Sequence, residues 1–295
     1  MKAILSGKTQ LYGVIGNPIV HSLSPAMHNA AFEALQIDAV FLAFKVKKDE
    51  VENALQGMRG LGIIGFNVTM PHKNAVISCI DEVDETARFL GSVNTIFNDN
   101  GKLKGFSTDG IGAQRALEEN GVAIKGKKIV LLGGGGAAKA IAYTLAREVS
   151  ELVLLNRTPD KTKALSEVLC STFNKKIANC LLSSSVVEQN LRDADVLINA
   201  TSVGMSPQSA QSPVASKALR SDLTVMDIVY NPIETKLAKD AKKAGARVIS
   251  GVEMLVYQGA ASFEVWTGQV APVKVMRQAA LNQLQQRMKK DAGES

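Results

Sequence analysis

The chain has 295 residues, 46% of them apolar and 5% aromatic, with 34 Lys and Arg against 28 Asp and Glu for a formal net charge of +6. No apolar run reaches the roughly 18 residues that a membrane span needs. The lysines are scattered, without the basic block and interleaved aromatics that nucleic-acid binding favours, so a small phosphate-bearing molecule suits the positive balance better.

Length suits two domains that each bury a core. The opening MKAILSGKTQ is too short and polar for a signal peptide, so the cytoplasm is expected. Apolar periodicity predicts a strand at 11–15, a helix at 25–35 and a strand at 40–46. Helical spacing over 49–59, a short strand at 65–68 and a helix opening at Pro71 follow. Strands at 94–97 and 103–106 flank Asn100-Gly101, the pair that a type I′ hairpin turn prefers. From Asp109 a polar helix leads to a strand at 129–132, and strands recur at 152–155, 196–199, 224–227 and 247–249 with helical patterns between most of them. That alternation predicts a parallel, doubly wound sheet. Two long helical segments, 253–266 and 272–289, close the chain without a further strand.

The expected fold is therefore α/β in two domains. Residues 1–108 form an α/β domain with a mostly parallel sheet, residues 109–251 a Rossmann-type domain, and residues 252–295 helices that return to the first domain. Hinges are expected near Thr108 and Gly251, with ligands narrowing a cleft between the domains. Residues 206–216, rich in Ser, Pro and Gln, read as a mobile loop, and 290–295 as a frayed tail. Cys79, Cys170 and Cys180 are odd in number and lack metal-ligand spacing, so reduced thiols are expected. His21, His28 and His72 do not pair at ligand spacing, and no metal site is expected. His21 and His28 are expected to hydrogen-bond locally and His72 to sit at a helix start.

The strand at 129–132 runs straight into Gly133-Gly-Gly-Gly-Ala-Ala138, and a helix follows without a break. This matches G-x-G-x-x-A. The first glycine makes the tight turn, the second admits the pyrophosphate to the backbone, and the third small residue lets helix and strand pack closely. The helix N-terminus adds free amide donors and a partial positive charge. An NAD site usually ends the next strand with an acid for the ribose 2′-hydroxyl. Here Asn156-Arg157-Thr158 stands there, then Lys161, groups that pair with a 2′-phosphate and favour NADP. Asp160 keeps some use of NAD open, and Arg157 and Lys161 also fit solvated charges at a helix start.

In the first domain, His21-Ser22-Leu23-Ser24-Pro25 ends a loop at a helix, with Ser24 read as N-cap and Pro25 as the first helical residue. Ser22 has no such duty, so two hydroxyls beside a helix N-terminus suggest a site for a polar, anionic small molecule. Asn67-Val-Thr69-Met-Pro-His72-Lys73 follows a strand and places Thr69 and Lys73 at a carboxyl-end crevice. Taken singly, Lys73 also fits a solvated charge and Asp109 a helix cap.

Taken together, Gly16-Asn-Pro-Ile-Val-His-Ser-Leu-Ser-Pro25, Asn67-Val-Thr-Met-Pro-His-Lys73, Gly91-Ser-Val-Asn-Thr95, Ser107-Thr-Asp-Gly110, the glycine turn, Asn156-Arg-Thr158 and Asn199-Ala-Thr-Ser-Val-Gly-Met205 resemble the shikimate dehydrogenase family over nearly the whole chain. The resemblance implies reversible reduction of 3-dehydroshikimate by NADPH to shikimate, in aromatic amino acid biosynthesis. It implies that Ser22 and Ser24 meet the substrate carboxylate, with Tyr230 near it, and that Thr69, Lys73, Asn94, Asp109 and Gln258 meet its hydroxyls. On the cofactor side it implies Gly133, Gly134, Gly135, Gly136, Ala137 and Ala138 at the pyrophosphate. Asn156, Arg157, Thr158 and Lys161 fall at the adenosine phosphate, and Thr201, Ile228, Gly251 and Met254 towards the nicotinamide. Many relatives carry arginine where Lys161 stands, which here loses a bidentate fork.

The residue types agree with that chemistry. Hydride addition to a ketone builds negative charge on oxygen, which a nearby cation stabilises, and Lys73 and Asp109 are the catalytic candidates. Whether Lys73 protonates the alkoxide or only stabilises it stays open. Two alternatives also stay open: a quinate/shikimate dehydrogenase with relaxed use of NAD and NADP, and a non-catalytic NADP-binding regulator, which retention of both Lys73 and Asp109 argues against. The sequence leaves monomer and homodimer open.

Overall fold

Gln10–Gly16 (β1) places four successive apolar or small residues out of water, the pattern of a strand covered on both faces, and it pairs in parallel with Ala39–Lys45 (β2) and Gly65–Val68 (β3). A computed structural model describes residues 5–291 and residue 293. Its chain divides into two compact units, residues up to Thr108 together with Val256 onward, and Asp109–Leu255. The division falls at 255 rather than the expected 251, inside helix α9.

The first unit runs β1, α1 (Ser24–Ala34), β2, a 3-10 turn at Lys48–Glu50, α2 (Val51–Gly60) and β3. A 3-10 turn at Ala75–Cys79, β4 (Glu82–Val83), α3 (Glu85–Leu90), β5 (Thr95–Asp99) and β6 (Lys102–Phe106) complete its first stretch. Its sheet has the order β2-β1-β3-β5-β6-β4, with β5 antiparallel to both neighbours and the other pairings parallel. The expected hairpin forms around Asn100-Gly101, both at positive φ of 52° and 92°, the backbone that a type I′ turn requires. Two short elements escaped prediction, β4 and α3. Two residues carry no periodicity; α3, six residues long, is held by the Asp84 side chain accepting from the Ala87 amide.

The end of the chain belongs to this unit. Trp266, on α9 (Gly251–Thr267), lies so close over Gly65 that a Cβ there would come within 2.6 Å of the indole, and it donates to the Ile96 carbonyl at 2.9 Å. Asn29 on α1 grips β2 through both amide bonds to Phe41, 2.8 and 2.9 Å. Tyr12, Phe32, Phe41, Phe263 and Trp266 form one aromatic layer, and Val51, Leu55, Phe66, Val68 and Val76 belong to a separate buried cluster. Helix α10 (Val273–Asp291) packs along α1 and runs past the expected 289; the rest of the expected frayed tail lies outside the described residues, except residue 293.

The second unit opens with α4 (Asp109–Glu119), then alternates β7 (Lys128–Leu132), α5 (Gly136–Leu145), β8 (Glu151–Asn156), α6 (Asp160–Phe173), β9 (Lys176–Leu181), α7 (Ser184–Leu191), β10 (Val196–Asn199), β11 (Thr224–Asp227), α8 (Lys236–Lys243) and β12 (Arg247–Ile249). Every pairing is parallel in the order β12-β11-β10-β7-β8-β9, the doubly wound arrangement, with its switch point between β7 and β10. β9 was not anticipated. It is an edge strand whose residues are mostly half-exposed, so its apolar signal is weak.

Candidate active site

In the first unit, strand register gathers the polar signals at one sheet edge. Ile15 lies opposite Val68 in parallel, and Asn67 opposite Thr95 and Thr95 opposite Phe106 in antiparallel pairs. The carboxyl ends of β1, β3 and β6 and the start of β5 therefore lie together. Segments 17–24 and 69–73, Asn94 and Thr108 all emerge there. Backbone bonds tie them: Thr69 to the Ile15 carbonyl at 3.0 Å, Asn17 to Met70 at 3.0 Å, and Val93 to the carbonyl of Lys73 at 2.8 Å.

Beneath this edge lies a buried polar network. Asn94, 3% exposed, accepts the Thr108 amide at 2.8 Å and donates to the Thr108 hydroxyl at 2.9 Å and to Gln258 Oε1 at 3.3 Å. Ser262, fully buried one helical turn beyond Gln258, lies 2.7 Å from the Thr95 hydroxyl, accepts from the Asn67 amide at 3.0 Å and donates to the Gln258 carbonyl at 3.0 Å. Sequence reasoning placed Asn94 and Gln258 here but missed Thr95 and Ser262. A serine four residues from Gln258 on an otherwise apolar helix face was the available signal.

The serine loop corrects one expectation. Ser24 is the first residue of α1, and Leu23 takes the cap position without a side-chain cap bond. Ser22, thought to have no structural duty, accepts the Ser24 amide on its hydroxyl at 3.2 Å. Ser22 thus does the local capping, because Pro25 shifts the helix start by one residue. Ser24 is buried and Ser22 half-buried.

Two histidines also differ from expectation. No helix opens at Pro71. His72 is buried in a turn, with Nε2 2.9 Å from the Val46 carbonyl, and the only helical residues that follow are the short 3-10 turn from Ala75. His28 makes no hydrogen bond through either ring nitrogen; it is stacked on Phe41 with centroids 4.4 Å apart, and burial pushes its pKa down to about 3. The Asn67 side chain opposes that shift, and its own Oδ1 is buried without a partner.

Thr69 and Lys73 are half-buried, as is Gln258. Of the remaining substrate candidates, Asp109 is the first residue of α4 in the second unit, 8% exposed, and Tyr230 follows β11, half-buried.

All the cofactor candidates belong to the second unit. Gly133 has φ +120°, and a Cβ there would lie 2.7 Å from the Ala200 carbonyl oxygen, so the turn after β7 tolerates only glycine. Cβ atoms at Gly135 and Gly136 would meet no protein atom within 4 Å, and α5 starts at Gly136 with no side-chain cap and no acid in its first turn. The turn is thus an open cradle of backbone amides at a positive helix end, which fits a pyrophosphate. Ala138 is buried against the strand layer. Asn156 donates to the Thr158 carbonyl at 2.9 Å, which folds the turn that leaves Arg157, Thr158 and Lys161 exposed.

At the other side of the switch point, Asn199 accepts the Thr201 amide at 3.1 Å and its hydroxyl at 2.7 Å and donates to Asp227 at 2.9 Å. Asp227 is 1% exposed; burial pushes its carboxyl above the usual range, against bonds from Thr235, Val229 and Asn199. Ile228 is held by the Asn199 carbonyl at 3.1 Å. Gly251 is pressed against the end of β11, where a Cβ would come 2.5 Å from the Ile228 oxygen, and Met254 is buried a turn further on.

A doubly wound sheet with this amide cradle, basic residues where an acid would select NAD, and an N-terminal unit that collects hydroxyl, amide and ammonium groups at one sheet edge define a nicotinamide-dinucleotide-dependent oxidoreductase of the α/β class. Known proteins narrow the class. A model of the shikimate dehydrogenase substrate binding domain matches residues 14–96, one of shikimate/quinate 5-dehydrogenase matches 113–242, and one of the shikimate 5'-dehydrogenase C-terminal domain matches 251–281. The chain belongs to the shikimate dehydrogenase family.

A shikimate dehydrogenase (NADP(+)) of Methanopyrus kandleri is 48% identical over 95% of this chain and 98% of its own, and one of Thermococcus kodakarensis is 50% identical over 93% and 97%. A crystal structure of shikimate 5-dehydrogenase from Listeria monocytogenes with shikimate and NAD superposes with a TM-score of 0.88 at 37% identity, covering 93% of this chain and 97% of that one. The scaffold is also shared by a 5-ketofructose reductase of Gluconobacter, with TM-score 0.87 at 32% identity over 94% of this chain and 99% of that one.

Proposed function

We propose that this chain catalyses the reversible, NADP-linked interconversion of shikimate and 3-dehydroshikimate, with substrate bound by the first unit and cofactor by the second. The observation that carries the reading is the convergence of segments 17–24 and 69–73, Asn94 and Thr108 on one sheet edge, in a chain whose other unit ends β7 in an open amide cradle. Ser22 and Ser24 bind the substrate carboxylate at the positive end of α1, with Tyr230 near it. Thr69, Lys73, Asn94, Asp109 and Gln258 take the ring hydroxyls. The doubly held Asn94 amide enters substrate binding with its orientation already fixed.

NADP, when bound, takes a hydride from the alcohol carbon on oxidation and returns it on reduction. Residues 133–138 hold its pyrophosphate, Asn156, Arg157, Thr158 and Lys161 its 2′-phosphate end, and Thr201, Ile228, Gly251 and Met254 its nicotinamide end. The Lys73 ammonium sets positive charge where the alcohol oxygen turns anionic as its carbon loses hydride. Asp109 receives the hydroxyl proton in oxidation and gives it back in reduction. Arg157 and Lys161 are cations placed where NAD-binding chains carry an acid, which supports NADP over NAD. Three unpaired thiols, Cys79, Cys170 and Cys180, suit a reducing compartment, and we place the reaction in the cytoplasm. Among the described residues no helix is long and apolar enough to cross a membrane.

Turnover of shikimate with NADP by the unaltered chain and by Lys73→Ala tests the reading. The variant is expected to lose at least about a hundredfold in kcat with little change in shikimate binding, the pattern of a lost transition-state contact. Unchanged turnover would remove Lys73 from the chemistry, and absence of turnover in the unaltered chain would favour a binding-only protein.

A further inference from the structure

Arg287 stands on α10, six residues beyond the last position that the family models match, and 265 residues from the serine loop. Its guanidinium donates through Nη1 to the His21 carbonyl at 2.7 Å and through Nη2 to the Ser22 carbonyl at 3.0 Å. These two carbonyls belong to the peptide planes on either side of the Ser22 α-carbon. A peptide unit is rigid and planar, so fixing both planes fixes φ and ψ of Ser22 and hence the direction of its Cβ and hydroxyl. The other restraints on this residue are local: its amide bonds to the Ile19 carbonyl at 2.9 Å, and its hydroxyl accepts the Ser24 amide at 3.2 Å. Arg287 is the restraint that comes from another element. Only a planar fork can span two successive carbonyls, which an ammonium, a point donor, cannot do in one pose.

We propose that Arg287 is a positioning residue for recognition of the substrate carboxylate. It aims the Ser22 hydroxyl and brings a full positive charge to the loop that receives the anion. The proposal rests on the reading that Ser22 binds the carboxylate. It assigns a substrate-affinity role to the C-terminal helix, whose other evident duty is to pack on α1.

The test is steady-state kinetics of the full-length chain as Arg287→Met, Arg287→Lys, Ser22→Ala and the double variant Ser22→Ala/Arg287→Met, with urea unfolding of each. Arg287→Met keeps the apolar stem and loses the fork; KM for shikimate is expected to rise about five- to twentyfold, with kcat within about twofold and KM for NADP unchanged. Arg287→Lys restores part of the loss. The double variant is expected to be little worse than Ser22→Ala alone, because both changes remove one contact. Normal KM in Arg287→Met beside a raised KM in Ser22→Ala would overturn the proposal alone. So would additive losses, or a lower unfolding midpoint with KM unchanged, the mark of a merely structural arginine. Normal KM in Ser22→Ala would overturn the reading of Ser22 itself.

Discussion

Asn94 and Thr108 are joined twice, by the Thr108 amide on the Asn94 carbonyl at 2.8 Å and by the Asn94 amide on the Thr108 hydroxyl at 2.9 Å. The pair closes the start of β5 against the end of β6 and ends one residue before Asp109. Replacing Asn94 by Ala leaves the Thr108 amide and the Thr95 hydroxyl without this buried acceptor. A loss of about 1–3 kcal/mol in unfolding free energy is expected, read as a lower urea midpoint at unchanged m. Thr108→Val, which keeps the amide bond, is expected to cost less. Equal midpoints for all three proteins would show the network to be idle.

His28 makes stability depend on pH. In the folded chain burial holds its pKa at about 3, whereas an unfolded imidazole titrates near pH 6.5. Between those values the unfolded chain binds a proton that the folded chain does not. Stability is therefore complete above about pH 6.5 and falls as pH drops towards 3, by up to about 1.4 kcal/mol per unit. Urea unfolding at about pH 7 and pH 5 is expected to show a smaller drop in His28→Phe than in the parent, the difference being on the order of 2 kcal/mol. Identical drops would mean that the buried imidazole is already protonated or already paired.

Arg157 is exposed on the turn that Asn156 folds, so its removal is expected to leave the fold intact. Loss of a charge-assisted bond to a 2′-phosphate costs about 1.5–3 kcal/mol, which is roughly ten- to a hundredfold in kcat/KM. Arg157→Ala is expected to lose that much with NADP and to change little with NAD. Parallel losses with both cofactors would place Arg157 away from the 2′-phosphate.

Much of this was legible in the sequence because the informative signals are local. The β7–glycine–α5 unit is fixed by residues adjacent in the chain, and so is the Asn100-Gly101 hairpin. The serine loop was found for the same reason, yet its cap was misassigned by one residue, since a proline at the second helical position lets Leu23 stand in the cap place while Ser22 reaches forward. What stayed hidden depends on contacts far apart in sequence. Ser262 joins Asn67 across 195 residues and Arg287 reaches His21 across 266, and neither carries a periodic or motif signal. His28 looked like a locally bonded polar group, but aromatic side chains from β2 and α9 enclose it.

Initial rates of the purified chain with shikimate and with quinate, each with NADP and with NAD, test the central claim most directly. Quinate adds a hydroxyl at the carbon that bears the carboxylate, so it probes the pocket assigned to Ser22 and Tyr230, while the choice of cofactor probes Arg157 and Lys161. The account predicts that kcat/KM is highest by far for shikimate with NADP. Comparable values for quinate and NAD, or no turnover of shikimate in any combination, would contradict it.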